Sequence, residues 1–309
     1  MRVLVVGKNV TAVHRQLVWM VRGGCEILFV GESNPYEGIP PVRYRFLPLI
    51  TGEGASQVSH TEAIAQIKLA ADQFQPDIIH AHGLDKEAAW CVEAGLQPLV
   101  ISAQGYLNRL AQNPSARLPI TLDRMILASQ ALVFIGPAGA EAVRTRYPDR
   151  PKVVLLTQGL DVRHYQSQSD AQGSAWRQCL KLPLDAFVLA SPRGWGKVYN
   201  HHLIVRAFAS ARQRCEKPTY LVCTRMGRNN QSGEAEIYFN EVMNEATSLG
   251  IKDAIRILPP MPHRMMPGVY AMSDAVISYP AQDALAVTLI EAAACQRPII
   301  TARLPDYAG

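Results

Sequence analysis

At 309 residues, with 48% apolar and 18% charged content, the chain has about two domains' worth of length and enough apolar material to fill ordinary cores, which excludes a disordered or fibrous protein. Its formal charge of +5 is spread along the chain without dense Lys/Arg blocks, which excludes a nucleic-acid-binding arm and suits anionic substrates or a phospholipid surface. Six cysteines, at positions 25, 91, 179, 215, 223 and 295, form no C-x-x-C pair and fall mostly in apolar segments, so they read as buried thiols of a reducing compartment.

The chain opens on Met1-Arg-Val-Leu-Val-Val-Gly7, an apolar run that Lys8 and Asn9 end well short of an export signal's core. It reads as a first strand, Val3 to Val6, and the loop after it lacks the glycine fingerprint of a dinucleotide site. Glu26 to Val30 is the next strand, and Ile64 to Phe74 carries helical spacing. Ile78 to Ala81 follows as a strand within Pro76-Asp-Ile-Ile-His80-Ala-His82-Gly83. His80 and His82 share one face of it, and no third residue stands at a metal-site spacing, so one of the two reads as a core histidine. His82, the later one and the one followed by a loop glycine, is the candidate for a site. Glu87 to Ala94 is helical, and Leu99 to Ser102 is a strand leading into Ala103-Gln104-Gly105. Gln104 can hydrogen-bond a hydroxyl but takes up no proton, which makes general-base duty there doubtful. Met125 to Val143 includes Ser129, Gln130, Gly136, Pro137 and Glu141, so it reads as helix, buried strand (Ala131 to Ile135) and helix rather than a membrane span. Val153 to Leu156 is the last strand of this half, closed by the turn Thr157-Gln-Gly159-Leu-Asp161.

The polar piece from Arg163 to Gly173 has too little apolar content to fill a core and reads as a linker. A second series of strands follows: Ala186 to Ala190, Tyr220 to Thr224, Ala254 to Leu258, Ala275 to Ser278 and Pro298 to Thr301. Strands alternating with amphipathic stretches in both halves predict two doubly wound parallel sheets, whose strand carboxyl ends are where such folds bind ligands. The first strand of the second series runs into Ser191-Pro-Arg193-Gly-Trp-Gly-Lys197-Val-Tyr-Asn200 and then a helix to Arg212, which Asn200 is placed to cap and which Leu203, Ile204, Ala207 and Phe208 give an apolar face. Arg193 and Lys197 thus lie just before a helix start, where a fork donor and a point charge suit a diphosphate; two surface cations on a turn are the plainer alternative. After Ala275 to Ser278 comes a loop with Asp283, then a helix start containing Thr288 and Glu291, with Leu289, Ala292, Ala293 and Cys295 on the packed side. Thr288-Leu-Ile-Glu291 also has the spacing of a capping box, in which Glu291 merely satisfies backbone donors.

Asp283 and Glu291, separated by seven residues, resemble the donor-site signature of GT-B glycosyltransferases of the group 1 (family 4-like) kind, with Asp in place of the usual Glu and Ala284-Leu285-Ala286 in place of the usual glycines. Arg193 and Lys197 resemble that family's Arg/Lys loop, four positions apart where five are common. His82, Gln104 and Gly105 fall where its first domain faces the acceptor, Thr157 to Asp161 resembles its Asn-Gly-Val-Asp turn, and Leu258-Pro-Pro-Met-Pro262 its base-contacting loop. The resemblance implies two Rossmann-like domains facing across a cleft, an acceptor-side domain over 1–163 and a nucleotide-sugar donor domain over 164–309. The donor domain is expected to be incomplete and the chain weakly stable or weakly active, because family members continue for several more elements. It implies a retaining, metal-independent hexosyltransferase of cell-envelope polysaccharide type, and no Asp-x-Asp pair occurs in the chain. Arg193, Lys197 and Asp283 would be catalytic, while Glu291 and Thr288, with the same cations, would hold the donor. No cofactor is implied. The co-substrate is a nucleotide-diphosphate sugar, the acceptor a carbohydrate or lipid-linked group, and the location the cytoplasm, with peripheral contact at the inner membrane face left open. Two alternatives stand: a nucleotide-sugar-binding protein without transferase activity, and a nucleotide-sugar epimerase.

Overall fold

Runs of β-branched and leucine residues buried on both faces make these strands, and alternation along each one feeds two separate cores. The computed structural model describes residues 1–8, 11–35, 42–51, 58–103, 107, 110, 117–156, 159–166, 170–225 and 233–307. The chain divides into two units, one of Met1–Gly159 with Pro305–Tyr307, the other of Leu160–Leu304.

The first unit runs β1 (Arg2–Val6), α1 (Thr11–Arg22), β2 (Glu26–Gly31), β3 (Tyr44–Pro48), α2 (His60–Phe74), β4 (Ile78–His82), α3 (Lys86–Glu93), β5 (Leu99–Ser102), α4 (Ile120–Ala128), β6 (Ala131–Phe134), α5 (Pro137–Arg146) and β7 (Lys152–Leu155). Its strands form one sheet in the order β3-β2-β1-β4-β5-β6-β7, every pair parallel. On β1, Leu4 and Val6 enter the core beneath α2 to α5, while Val3 and Val5 pack with Val13 and Leu17 of α1 on the other face. A reciprocal capping box starts α2: Ser59 Oγ accepts from the Glu62 amide, and Glu62 Oε2 accepts from the Ser59 amide. At the far end of the chain, Asp306 Oδ1 accepts from the Ala138 amide at 2.8 Å, capping α5, whose own N-cap, Gly136, carries no side chain.

The second unit runs α6 (Val162–Gln166), α7 (Asp170–Cys179), β8 (Phe187–Ser191), α8 (His201–Arg212), β9 (Thr219–Thr224), α9 (Glu234–Ser248), β10 (Ile255–Leu258), α10 (Met266–Ala271), β11 (Ala275–Ser278), α11 (Val287–Ala294) and β12 (Ile299–Thr301). Its parallel sheet has the order β10-β9-β8-β11-β12. One face packs against α8 and α9, the other against α6, α10 and α11. α7 and α10 cross closely because two glycines lack side chains: a Cβ on Gly173 would lie 2.6 Å from Ala271 O, and one on Gly268 2.1 Å from Trp176 Nε1. Arg177 ties the start of β8 down, donating to the carbonyls of Leu184, Ala186 and Met272 and pairing with Asp274 at 2.8 Å.

Several local expectations change. The stretch 163–173 is not an extended linker: α6 and the start of α7 fall in it, and Tyr165, 2% exposed, supplies the one large apolar anchor that a short helix needs. β3 is a strand that carries no continuous apolar run, because it is the sheet's half-exposed edge. Asn200 sits at the N-cap position of α8 but does not cap it. Its backbone is left-handed, a conformation Asn tolerates, and its side-chain amide donates to Tyr279 O instead. The buried stripe of α8 is His201, Ile204, Val205, Phe208 and Ala209, with Leu203 exposed. Cys25, Cys91 and Cys223 are buried, whereas Cys179 and Cys215 are exposed. No helix among the described residues is long and apolar enough to cross a membrane.

Candidate functional site

In an open parallel sheet the crossovers diverge where strand order reverses, leaving a crevice outside the strand carboxyl ends. In the second unit that point lies between β8 and β11. The loop after β8 carries Arg193 and the loop after β11 carries Asp283, so sequence positions ninety apart meet there: Arg193 Nη2 lies 2.6 Å from Asp283 Oδ2. Arg193 Nη1 donates to Thr288 Oγ1 in the first turn of α11 at 3.2 Å, and the Tyr199 ring lies 4.3 Å from the guanidinium carbon. Two further bonds lace the loops together, Ala281 N to Val198 O at 2.8 Å and Asn200 Nδ2 to Tyr279 O at 3.1 Å. Arg193 is therefore 9% exposed and fixed in orientation. Lys197, on the 3-10 turn Lys197–Tyr199, is exposed, and its ammonium makes no ion pair among the described residues.

The capping-box alternative for Thr288 and Glu291 does not hold. Ala286 is the N-cap of α11 and no side chain caps that end, which puts both residues inside the helix. Being three apart they share a face. Thr288 receives Arg193, while Glu291, 2% exposed, accepts from Tyr270 Oη at 2.6 Å and lies 2.8 Å from His263 Nε2. The same His263 nitrogen is 3.0 Å from Tyr165 Oη. Burial, followed by the charge of Glu291, holds the Tyr270 hydroxyl well above its ordinary pKa, so it stays a donor. His263 directly follows the proline loop Pro259–Pro262, and Glu291 is thereby joined to that loop. His263, Tyr270 and Tyr165 were not legible as site residues. Their one sequence signal is the histidine immediately after the triple-proline run.

Behind the Arg193 loop, Trp195 stacks on His201 with centroids 4.2 Å apart and donates to Thr224 O. Burial lowers the His201 pKa to about 4, so the ring is neutral.

In the first unit the strand order reverses between β1 and β4. His82 ends β4, 4% exposed, and bare Gly7 at the end of β1 leaves room for it, since a Cβ there would lie 3.1 Å from His82 Cβ. Burial, then the neighbouring His80, pushes the His82 pKa down to about 3. His80 is buried as well: Nε2 lies 2.8 Å from Ser102 Oγ, and burial lowers its pKa to about 4. With Ser102 it lines an apolar cavity of about 450 Å³ beside α1, walled by Val3, Trp19, Met20 and Val133. Gln104, Gly105, Thr157 and Gln158 lie outside the described residues.

Residues 174–308 match the family described as Glycosyl transferases group 1. The chain is 27% identical over 257 residues to D-inositol 3-phosphate glycosyltransferase of Salinispora arenicola, an alignment that spans 77% of this chain and 55% of that protein. It is 26% identical over 271 residues to the protein of the same name from Saccharomonospora viridis, spanning 84% of this chain and 62% of the relative. The chain therefore spans less than two thirds of the length of these relatives. Among solved structures, Anabaena Alr3699/HepE in complex with UDP and glucose superposes with a TM-score of 0.72 at 17% identity, over 99% of this chain and 82% of that one. The two parallel sheets are those of the GT-B fold.

Proposed function

We propose that this chain, in which residues 174–308 carry a glycosyl transferases group 1 domain, moves a sugar from a nucleotide-diphosphate donor to a carbohydrate or lipid-linked acceptor, with retention of configuration and without a metal ion. The observation that carries the reading is Arg193, a guanidinium fixed at the β8/β11 reversal by Asp283 and Thr288. As the sugar–oxygen bond breaks, negative charge grows on the departing diphosphate. A fork of donors oriented in advance stabilises that charge without reorganising, and the exposed ammonium of Lys197 adds a mobile point charge. Asp283 positions the guanidinium. Glu291 is assigned to the ribose hydroxyls, which would replace His263 or Tyr270 as its hydrogen-bond donors. The acceptor belongs to the first unit, at His82, Gln104 and Gly105, with its hydroxyl attacking on the face that the diphosphate leaves. A relative in fold holds UDP and glucose, and two relatives in sequence bear glycosyltransferase names, which supports a nucleotide-sugar donor. Incubation with a panel of nucleotide sugars and glycan or lipid-linked acceptors, with product analysis, tests the reading: a new glycosidic product is expected. Donor binding without product in any pairing would favour the second reading, a nucleotide-sugar-binding protein. That reading is supported by the charge of Arg193 already being matched by Asp283.

A further inference from the structure

Glu291 is buried, and each of its carboxylate oxygens already has a donor: Tyr270 Oη lies 2.6 Å from Oε2 and His263 Nε2 2.8 Å from Oε1. A ligand hydroxyl therefore reaches this carboxylate only when one of the two donors moves aside. The donors differ in their freedom to do so. Tyr270, on α10, has no exposed surface and belongs to the apolar cluster that also holds Val188, Val222 and Ala292, so withdrawing its ring would open a cavity in the core. His263 stands on the 3-10 turn His263–Met265, directly after the proline loop, and its side chain is 24% exposed. It also has a second partner within reach, because Tyr165 Oη lies 3.0 Å from the same Nε2. A carboxylate only accepts, so Nε2 carries a proton, and that one N–H faces two acceptors, Glu291 Oε1 and Tyr165 Oη. Tyr165 is buried on α6 and stays in place whichever of them the N–H serves.

We propose that His263 is a displaceable cap on Glu291, a positioning residue that sets how strongly the site selects a ribose. In the empty site it keeps a buried carboxylate oxygen from standing without a donor, which would be costly. When a ribose enters, His263 turns its N–H from Glu291 to Tyr165 and the sugar's hydroxyls take its place, while Tyr270 holds the other carboxylate oxygen throughout. The cap competes with the ligand. A vicinal diol brings two donors for the one displaced, whereas a sugar without these hydroxyls gives nothing in return, so the competition favours ribose over its deoxy forms. The inference deepens, and rests on, the assignment of Glu291 to the ribose.

The test is calorimetric titration of the full chain with UDP, GDP and ADP, each beside its 2′,3′-dideoxy counterpart. The native protein is expected to prefer the ribose form of the diphosphate it binds. His263→Ala removes the competitor and is expected to tighten that ribose form at least about threefold. Tyr165→Phe removes the acceptor of the displaced N–H and is expected to weaken it at least about threefold, the dideoxy form being unmoved in both variants. His263→Gln keeps an amide donor of similar reach and is expected to bind as the native protein does. A merely structural role would move the ribose and dideoxy forms together. Weaker or unchanged binding of the ribose form by His263→Ala, unchanged binding by Tyr165→Phe, or equal shifts of the two forms would overturn the inference; should His263→Ala not fold, Tyr165→Phe and His263→Gln decide it. The failures are distinguishable. A ribose preference without the opposed shifts removes the cap alone, diphosphate binding without a ribose preference removes the Glu291 assignment as well, and no diphosphate binding removes the donor reading together with both.

Discussion

Arg193 is the residue on which the chemistry turns, and its two side-chain partners come from the opposite crossover. Replacing it with alanine removes the fork and the ion pair it makes with Asp283. Arg193→Ala should lower turnover at least about tenfold, since one charge-assisted contact in a closed site is worth more than about 1.4 kcal/mol. Steady-state transfer rates check this, and unchanged turnover would remove the residue from the mechanism. Glu291 is buried between Tyr270 and His263 on the face of α11 that also presents Thr288 to Arg193. In the ribose assignment, Glu291→Gln should raise the donor's KM more than it alters kcat. The reverse split would show that the carboxylate acts on the reacting bond.

At the scale of elements, the strictest packing is the crossing of α7 and α10, where Gly173 meets the carbonyl of Ala271. That neighbour is backbone and cannot swing away, so Gly173→Ala should destabilise the second unit by about 1 to 3 kcal/mol, read as a lower urea midpoint at unchanged slope. In the first unit, Ser59→Ala removes one half of the reciprocal cap of α2 and should cost about 1 kcal/mol by the same measurement. These elements differ in how readily the sequence discloses them. Central strands such as β1 and β11 are buried on both faces and read as continuous apolar runs, whereas β3 is a half-exposed edge built on Tyr44 and Phe46. The polar composition of 163–173 hides α6 because a single buried ring, Tyr165, anchors it. Of the donor-site candidates, Arg193 and Asp283 are visible in the sequence because each lies on a loop just after a strand, and Thr288 and Glu291 because they fall in the first half of the helix that follows. The partners of Glu291 come from two other elements, α10 and the turn after β10, and no spacing along the chain announces that they meet.

For the molecule as a whole, three buried histidines set a common acid limit. His80 and His82 in the first unit and His201 in the second are held neutral by burial, with pKa values lowered to about 4, about 3 and about 4. Each folded-state value lies below the ordinary 6.5, so the folded state is favoured fully above pH 6.5 and loses that advantage as the pH falls toward 4. Melting temperature should therefore drop steadily from pH 7 to pH 4.5, and His201→Gln, if it folds, should flatten part of that slope. The central claim is that Arg193 holds the diphosphate of a nucleotide donor. Its most direct test is calorimetric titration of native protein and Arg193→Ala with UDP, GDP and ADP, each beside its nucleoside. We expect one diphosphate to bind far more tightly than its nucleoside, and Arg193→Ala to erase at least about tenfold of that difference while leaving the nucleoside affinity unchanged. Equal affinities of the two proteins for that diphosphate would contradict the account.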